Sequence, residues 1–184
     1  MDYKKIFDLI LDENDFTVGG GSSSAIAGAM ACGLMGMVAN LSKGKAYGHT
    51  DEEYDAIIAE LNDMKANFLQ SAVDDNKAYM LIVNAYKLPK ETDEQKAERK
   101  KAIQNAGIEA AKVPLLNALL NKRVNEIGKD LLEKSNPACM TDLKAGVDLS
   151  KVGLDSGKAN VEVNLPLIKN EDIVNEFKEK MAQL

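Results

Sequence analysis

The sequence predicts an all-α fold, a single helical bundle spanning residues 1–184. Three observations carry that prediction. Nearly every segment repeats its apolar residues at helical steps of three and four rather than alternating them. Helix-start signals recur before these segments, as at Thr92-Asp93-Glu94-Gln95. The run from Phe16 to Ser42 contains no charged residue and consists largely of small side chains, as a helix packed inside a bundle requires. A length of 184 residues suffices to bury a sizeable core in one domain, and 28% charged content is that of an ordinary globular protein.

Element by element, a short first helix is expected from about Tyr3 to Asp12, with Ile6, Leu9 and Ile10 on one face. Three glycines, Gly19, Gly20 and Gly21, and three serines, Ser22, Ser23 and Ser24, then lead into a lean helix from about Ser22 to Ser42. A glycine loop feeding a helix N-terminus presents bare N–H groups to a polar or anionic ligand; it serves equally as a turn whose serines cap the helix. The helix itself, with Gly28, Gly33 and Gly36 among alanines, allows close approach of another backbone. Lys43 to His49 reads as a loop punctuated by Gly44 and Gly48.

Thr50 caps a long helix running to about Lys87, with Asp51, Glu52 and Glu53 at its positive end. The helix begun at Thr92 is expected to kink or stop near Pro114, and an amphipathic helix follows through Leu115, Leu119, Val124 and Leu131. Ser135-Asn136-Pro137 breaks it. Two more helical stretches span about Thr141 to Asn164 and about Glu171 to Leu184. The charged stretch from Lys87 to Lys101 is mixed in sign and reads as a solvated face.

Composition excludes several classes of function. A net charge of −6 opposes broad nucleic-acid or membrane-surface binding, which calls for a basic face. The uncharged run approaches the length of a bilayer span, but its glycines, serines and Asn40 favour a buried bundle helix. Two cysteines, Cys32 and Cys139, make no disulfide framework, and with one histidine they do not assemble a zinc site. Cys32 reads as a small buried apolar residue. The N-terminus shows no signal-peptide pattern, so a cytoplasmic location is expected.

The sharpest chemical signal lies on the long helix. Its apolar stripe runs through Tyr54, Ile57, Leu61, Met64, Phe68 and Ser71, then meets Asp75 before Ala78 and Ile82. A carboxylate thus takes a core-facing register, flanked by small residues that leave room for a ligand. Burial raises a carboxyl pKa, by up to about 3–5 units in the extreme, and suits it to acid–base work near neutrality. The same register also fits a structural pair with a cation from another helix. Asp74, one residue off the line, reaches solvent. His49 reads as a solvated loop residue, and Asn160 and Asn164, four apart, share one helix face unless they serve as caps.

Several motifs, in order, resemble one family. They are the Gly-Gly-Gly-Ser loop; Met37-Val38-Ala39-Asn40-Leu41 with Lys43-Gly44-Lys45; Asp75 with Ala78-Tyr79; and Ala85-Tyr86-Lys87-Leu88-Pro89-Lys90. Arg99, Ala111 to Pro114, Thr141-Asp142 and Asn160-Val161 to Asn164-Leu165 continue the pattern. Together they resemble the formiminotetrahydrofolate cyclodeaminase/methenyltetrahydrofolate cyclohydrolase family over nearly the whole chain. The resemblance implies an all-helical homodimer with a folate cleft at or near the subunit contact. It implies a tetrahydrofolate derivative as substrate, with no permanently bound cofactor, no metal and no nicotinamide, and allows a separate formiminotransferase as partner.

By position, Asp75 corresponds to the family's acidic residue in the cleft. Gly19, Gly20, Gly21, Ser22, Lys43, Lys45, Asp142 and Asn160 correspond to cleft or loop positions. Three residues depart from the family pattern: Val18 for the proline before the glycines, Val73 for an additional acid, and Asn76 for alanine. The implied reaction is cyclodeamination of 5-formiminotetrahydrofolate, with hydrolysis of 5,10-methenyltetrahydrofolate as the alternative. A helical dimer that binds or channels folate, or an interaction module, without turnover is a third reading.

Overall fold

Helix α1, Gly20–Ser42, is held centrally by three longer helices. They are α2 (Asp51–Lys87), α3 (Asp93–Glu133) and α4 (Met140–Asn164), and α5 (Glu171–Ala182) closes the chain. Short 3₁₀ turns, Pro137–Cys139 and Leu165–Leu167, precede and follow α4. The computed structural model describes residues 17–184 together with Asp8, Asp12 and Asn14. Apart from Asp8 and Asp12, the expected first helix over Tyr3 to Asp12 lies outside the described residues. Among the described residues every regular element is helical, so the all-α expectation holds.

The caps form as the residue types dictate. Thr50 and Glu53 exchange side-chain and backbone bonds of 3.2 and 2.7 Å in a capping box. Thr92 and Gln95 do the same at 3.2 Å each. In the loop between α1 and α2, Gly44 and Gly48 take φ of +71° and +113°, the left-handed region that glycine alone enters cheaply. The expected stripe on α2 is the core seam: Tyr54, Leu61, Met64 and Phe68 are buried against Ala31, Met35, Val38, Val124, Leu131 and Leu143.

The lean α1 uses its missing side chains. A Cβ at Gly28 would lie 2.5 Å from the Phe68 ring, so the glycine is the socket for that ring. On α4, a Cβ at Gly146 would lie 3.2 Å from Met35 and 3.4 Å from the Ala31 carbonyl. Cys32 is buried in the same seam, and burial pushes its thiol up to about 12. Helix α1 is long and apolar enough to cross a membrane, yet more than half of its most apolar stretch is buried by the other helices. That is the burial of a bundle's core helix.

Two expectations need correction. The lean helix starts at Gly20, two residues before the serines, and no side chain of the loop caps it. Nor does Pro114 break its helix: α3 runs unbroken from Asp93 to Glu133. A mid-helix proline deprives the carbonyl four residues back of its donor, at a cost of about 3 kcal/mol. Here that carbonyl belongs to Ala110, and it accepts a hydrogen bond of 3.0 Å from Asn164 Nδ2 on α4. Gly157 lets α4 come this close, since a Cβ there would be 3.0 Å from the Pro114 carbonyl.

Beyond α4, a smaller core of Ala111, Leu115, Val161, Ile168 and Phe177 docks α5. The Leu165–Leu167 turn rests on α3 at Gly107, whose added Cβ would lie 2.6 Å from Leu167.

Candidate functional site

The N-terminus of α1, the middle of α2 and the end of α4 meet around a cleft of about 390 Å³. Gly19, Gly20 and Gly21 form one wall, Asp75, Tyr79 and Ile82 another, and Asn160, Val163 and Asn164 a third. Its volume lies in the range of small-molecule sites. Ser22 Oγ lies 3.1 Å from both Asp75 Oδ2 and the Ala72 carbonyl, and donates to that pair of acceptors. The Ser22 backbone N–H also donates to the Asp75 carboxylate.

Asp75 therefore does what the loop serines were expected to do: it caps α1 from a different helix. An N-terminal turn carries free N–H groups and partial positive charge, which suits a carboxylate. Burial nevertheless raises the Asp75 pKa above the ordinary value of 3.8, with the bonds from Ser22 opposing that rise. The result is a half-buried carboxyl facing a cavity. Among the described residues no cation is bonded to it, and it forms no ion pair with a cation from another helix.

The glycines explain themselves at this contact. A Cβ on Gly21 would fall 2.1 Å from Asp75 Oδ1, and one on Gly20 would fall 3.0 Å from Asn160 Nδ2. Gly19 has open space where its Cβ would be. Two of the three glycines thus admit side chains of the site, while the third faces free volume. Asn160 and Asn164 lie on one face, as their spacing predicted, and each returns its amide to the carbonyl four residues back at 2.8 Å.

Other expected positions fall elsewhere. Ser71 and Ala78 are buried and do not border the cleft; Tyr79 and Ile82 do. Tyr79 stands four residues beyond Asp75, so helical spacing contains the signal for it. Asp74 is exposed to solvent, bonded to Lys77 at 2.8 Å and Gln70 at 3.0 Å, and Lys77 lowers its pKa. Val73 is exposed, so an acid at that position lies outside the cleft. Asn76 Nδ2 bonds the Thr17 carbonyl at 3.3 Å and tethers the entry to the glycines, next to Val18.

Lys43, Lys45 and Asp142 are at the far end of the bundle. Lys43 follows the last turn of α1, about 33 Å along the helix from Gly20. It is paired with Asp55 at 2.6 Å, which raises its pKa, and Lys45 lies over the Tyr47 ring at 6.0 Å. Asp142 sits in the first turn of α4, beside that end because Asn136 bonds Leu41 and Ser42. One chain does not bring these three residues to Asp75.

His49 corrects another expectation. Its side chain is only 13% exposed, with Nε2 2.5 Å from Asp130 and its ring edge-on to Tyr54. The partner stands 81 residues away, beyond the reach of a local reading. Among the described residues no three His, Cys, Asp or Glu side chains gather as metal ligands.

The fold and site define a class: a helical bundle in which a glycine-started helix is capped by a half-buried carboxylate at the edge of a cleft. Residues 5–183 match the family model described as formiminotransferase-cyclodeaminase, and the chain belongs to that family. It is 34% identical to the methenyltetrahydrofolate cyclohydrolase of Methylorubrum extorquens, over 80% of this chain and 72% of that one. It is 30% identical to the formimidoyltransferase-cyclodeaminase of Rattus norvegicus, covering 88% of this chain but only 29% of the longer relative. The crystal structure of a formiminotetrahydrofolate cyclodeaminase from Thermotoga maritima superposes with a TM-score of 0.86 at 27% identity, over 100% of this chain and 87% of that one.

Proposed function

We propose that this chain is a cytoplasmic enzyme that converts 5-formiminotetrahydrofolate to 5,10-methenyltetrahydrofolate and ammonia. The substrate is the only folate it holds, and the reaction calls for no resident cofactor. The observation that carries this reading is Asp75, a carboxyl of raised pKa set against Ser22 at the wall of an open cleft, in a chain of this family. N10 attacks the carbon of the formimino group, protonated as an amidinium, and the C–N10 bond forms. Asp75 takes the N10 proton and delivers it to the formimino nitrogen. The C–N bond to that nitrogen then breaks, ammonia leaves, and the positive charge stays on the N5–C–N10 bridge. A proton relay of this kind contributes about 10²–10⁴-fold in rate.

A second reading rests on the Methylorubrum relative's name and identity. Water attacks the methenyl carbon, the C–N5 bond breaks, and 10-formyltetrahydrofolate results. The water oxygen gives up two protons as the formyl C=O forms: the same carboxyl passes one to N5, and the other leaves to solvent. Purified protein incubated with each substrate separates the two. Appearance of the methenyl chromophore with equimolar ammonia supports cyclodeamination; loss of the chromophore without ammonia supports hydrolysis. If neither substrate changes, the enzymatic reading fails.

The working unit we propose is a homodimer paired through α1. Met30, Met37 and Leu41 are exposed on it, and Gly33 and Gly36 have no atom within 4 Å of an added Cβ. The helix carries no charge, so this face suits a second copy of itself meeting it across a two-fold axis. Near-antiparallel pairing about Met30 and Gly33 would set the Lys43 end of one copy beside the Gly19 end of the other. That is the route by which Lys43, Lys45 and Asp142 join the cleft. The longer Rattus norvegicus relative carries transferase as well as cyclodeaminase in its name; for this chain, a separate formiminotransferase is the proposed supplier of substrate.

A further inference from the structure

The loop between α1 and α2, residues 43–50, carries Lys43 and Lys45 and is fastened to two helices. Its first half is tied to α2: the Gly44 N–H donates to Asp51 at 2.6 Å, and Lys43 pairs with Asp55 at 2.6 Å. Its second half is tied to the end of α3. There Asp130 Oδ1 takes the Lys134 ammonium at 2.6 Å, and Oδ2 takes His49 Nε2 at 2.5 Å. Gly48 lies against Lys134, whose Cγ would be 3.0 Å from an added Cβ. Burial opposes a charge on Asp130, yet the bonds from Lys134 and His49 hold its carboxyl below the ordinary value of 3.8. It is therefore ionised and accepts from both.

Both nitrogens of the His49 ring are committed. Nδ1 faces Glu53 Oε2 at 3.4 Å, an oxygen that already accepts the Thr50 N–H at 2.7 Å. The Tyr54 ring stands edge-on to the imidazole at 5.4 Å, and the Tyr54 hydroxyl donates to the Lys134 carbonyl at 2.8 Å. A ring held in this way has no nitrogen to offer a substrate. Nor does α2 need it, because the Thr50–Glu53 capping box starts that helix by itself. What His49 fixes is the loop. Between the two fastenings Lys45 is exposed and lies over the Tyr47 ring at 6.0 Å. Lys43 is engaged by Asp55, whereas Lys45 bonds no carboxylate among the described residues.

We propose that the His49–Asp130 contact positions substrate: it holds the loop so that the Lys45 ammonium meets the folate in the cleft of the neighbouring copy. This rests on the folate and homodimer readings above, and it makes His49 a positioning residue that acts through Lys45. A charge-assisted bond from an ammonium weakens steeply once the donor leaves hydrogen-bond distance, so a loop free to drift forfeits the contact.

Two measurements test it. The first needs no turnover: limited trypsin cleavage after Lys45 reads how firmly the loop is held. His49→Leu is expected to speed that cleavage at least tenfold, and His49→Gln, which keeps a donor for Asp130, to leave it within threefold of wild type. The second measures kcat and KM on whichever folate the wild type turns over. His49→Leu is expected to raise KM at least tenfold with kcat within twofold, and His49→Gln to restore KM to within threefold. Lys45→Gln is expected to raise KM as well, and in that background His49→Leu should add less than twofold, because the lysine it positions is gone. Unchanged cleavage, an unchanged KM, a loss confined to kcat, or a His49→Leu effect that persists in full without Lys45 would each overturn the proposal. If Lys45→Gln leaves KM unchanged while cleavage still quickens in His49→Leu, the proposal falls through the assignment of Lys45. A wild type inert on both folates, with the same quickened cleavage, would sink the folate reading and the substrate role together while the fastening of the loop stands.

Discussion

Asp75 and Gly21 form the tightest constraint in the cleft. With an added Cβ placed 2.1 Å from Asp75 Oδ1, Gly21→Ala must push the carboxyl out of its contact with Ser22. Turnover should fall at least tenfold while circular dichroism shows the bundle intact; undiminished turnover would remove this contact from the mechanism. The raised pKa has a second consequence. Between the ordinary aspartate value of 3.8 and the raised folded value, the folded chain holds a proton that the unfolded chain has released. Stability therefore falls as pH rises through that window, and the loss persists at neutral pH. Asp75→Asn should melt above the wild type at pH 7, with the gap closing as the pH drops below 3.8; calorimetry across that range checks it. The apolar stripe was enough to single out Asp75. Its partner Ser22 was not legible, because a contact across 53 residues leaves no periodic trace.

At the scale of elements, the sequence reading succeeded where local chemistry decides and failed where a distant partner does. The capping boxes at Thr50 and Thr92 are built from residues three apart, and both form. Pro114 was expected to kink or interrupt α3, and by local chemistry an interruption is the costly outcome to avoid, yet the helix is continuous. The compensating donor, Asn164, comes from another helix 54 residues away. A double-mutant cycle tests this account. Asn164→Ala leaves the Ala110 carbonyl without its donor and should cost about 1–3 kcal/mol. In a Pro114→Ala background the backbone N–H at position 114 supplies that bond, so the same substitution should cost less, with a coupling of about 0.5–3 kcal/mol in denaturant melts. Additive costs would mean that the bond from Asn164 does not compensate the proline. The start of α1 follows the same rule: the loop serines were the local candidates for its cap, and a carboxylate from α2 takes the place.

Across the whole molecule, the all-α class and the burial of α1 were legible because periodicity and the absence of charge are properties of long segments. The split of the candidate site residues was not. Gly19 to Ser22, Asp75 and Asn160 converge, whereas Lys43, Lys45 and Asp142 gather at the other end of α1. Neighbourhood in sequence hides this, because a helix of 23 residues separates what its two ends hold. The proposed homodimer paired along α1 would bring the two groups together. Light scattering should give twice the chain mass, and Met30→Glu, which places a charge on the exposed uncharged face, should shift the species to monomer. A dimer that survives this change would move the interface elsewhere.

The central claim is that Asp75 moves the proton at the folate one-carbon bridge. Its most direct test is the rate of methenyl-chromophore change, with ammonia measured in parallel, for the wild type and Asp75→Asn on both substrates. The account predicts turnover of at least one substrate by the wild type and a loss of about 10²–10⁴-fold in kcat for a variant that remains folded. Wild-type turnover left unchanged by Asp75→Asn would contradict it.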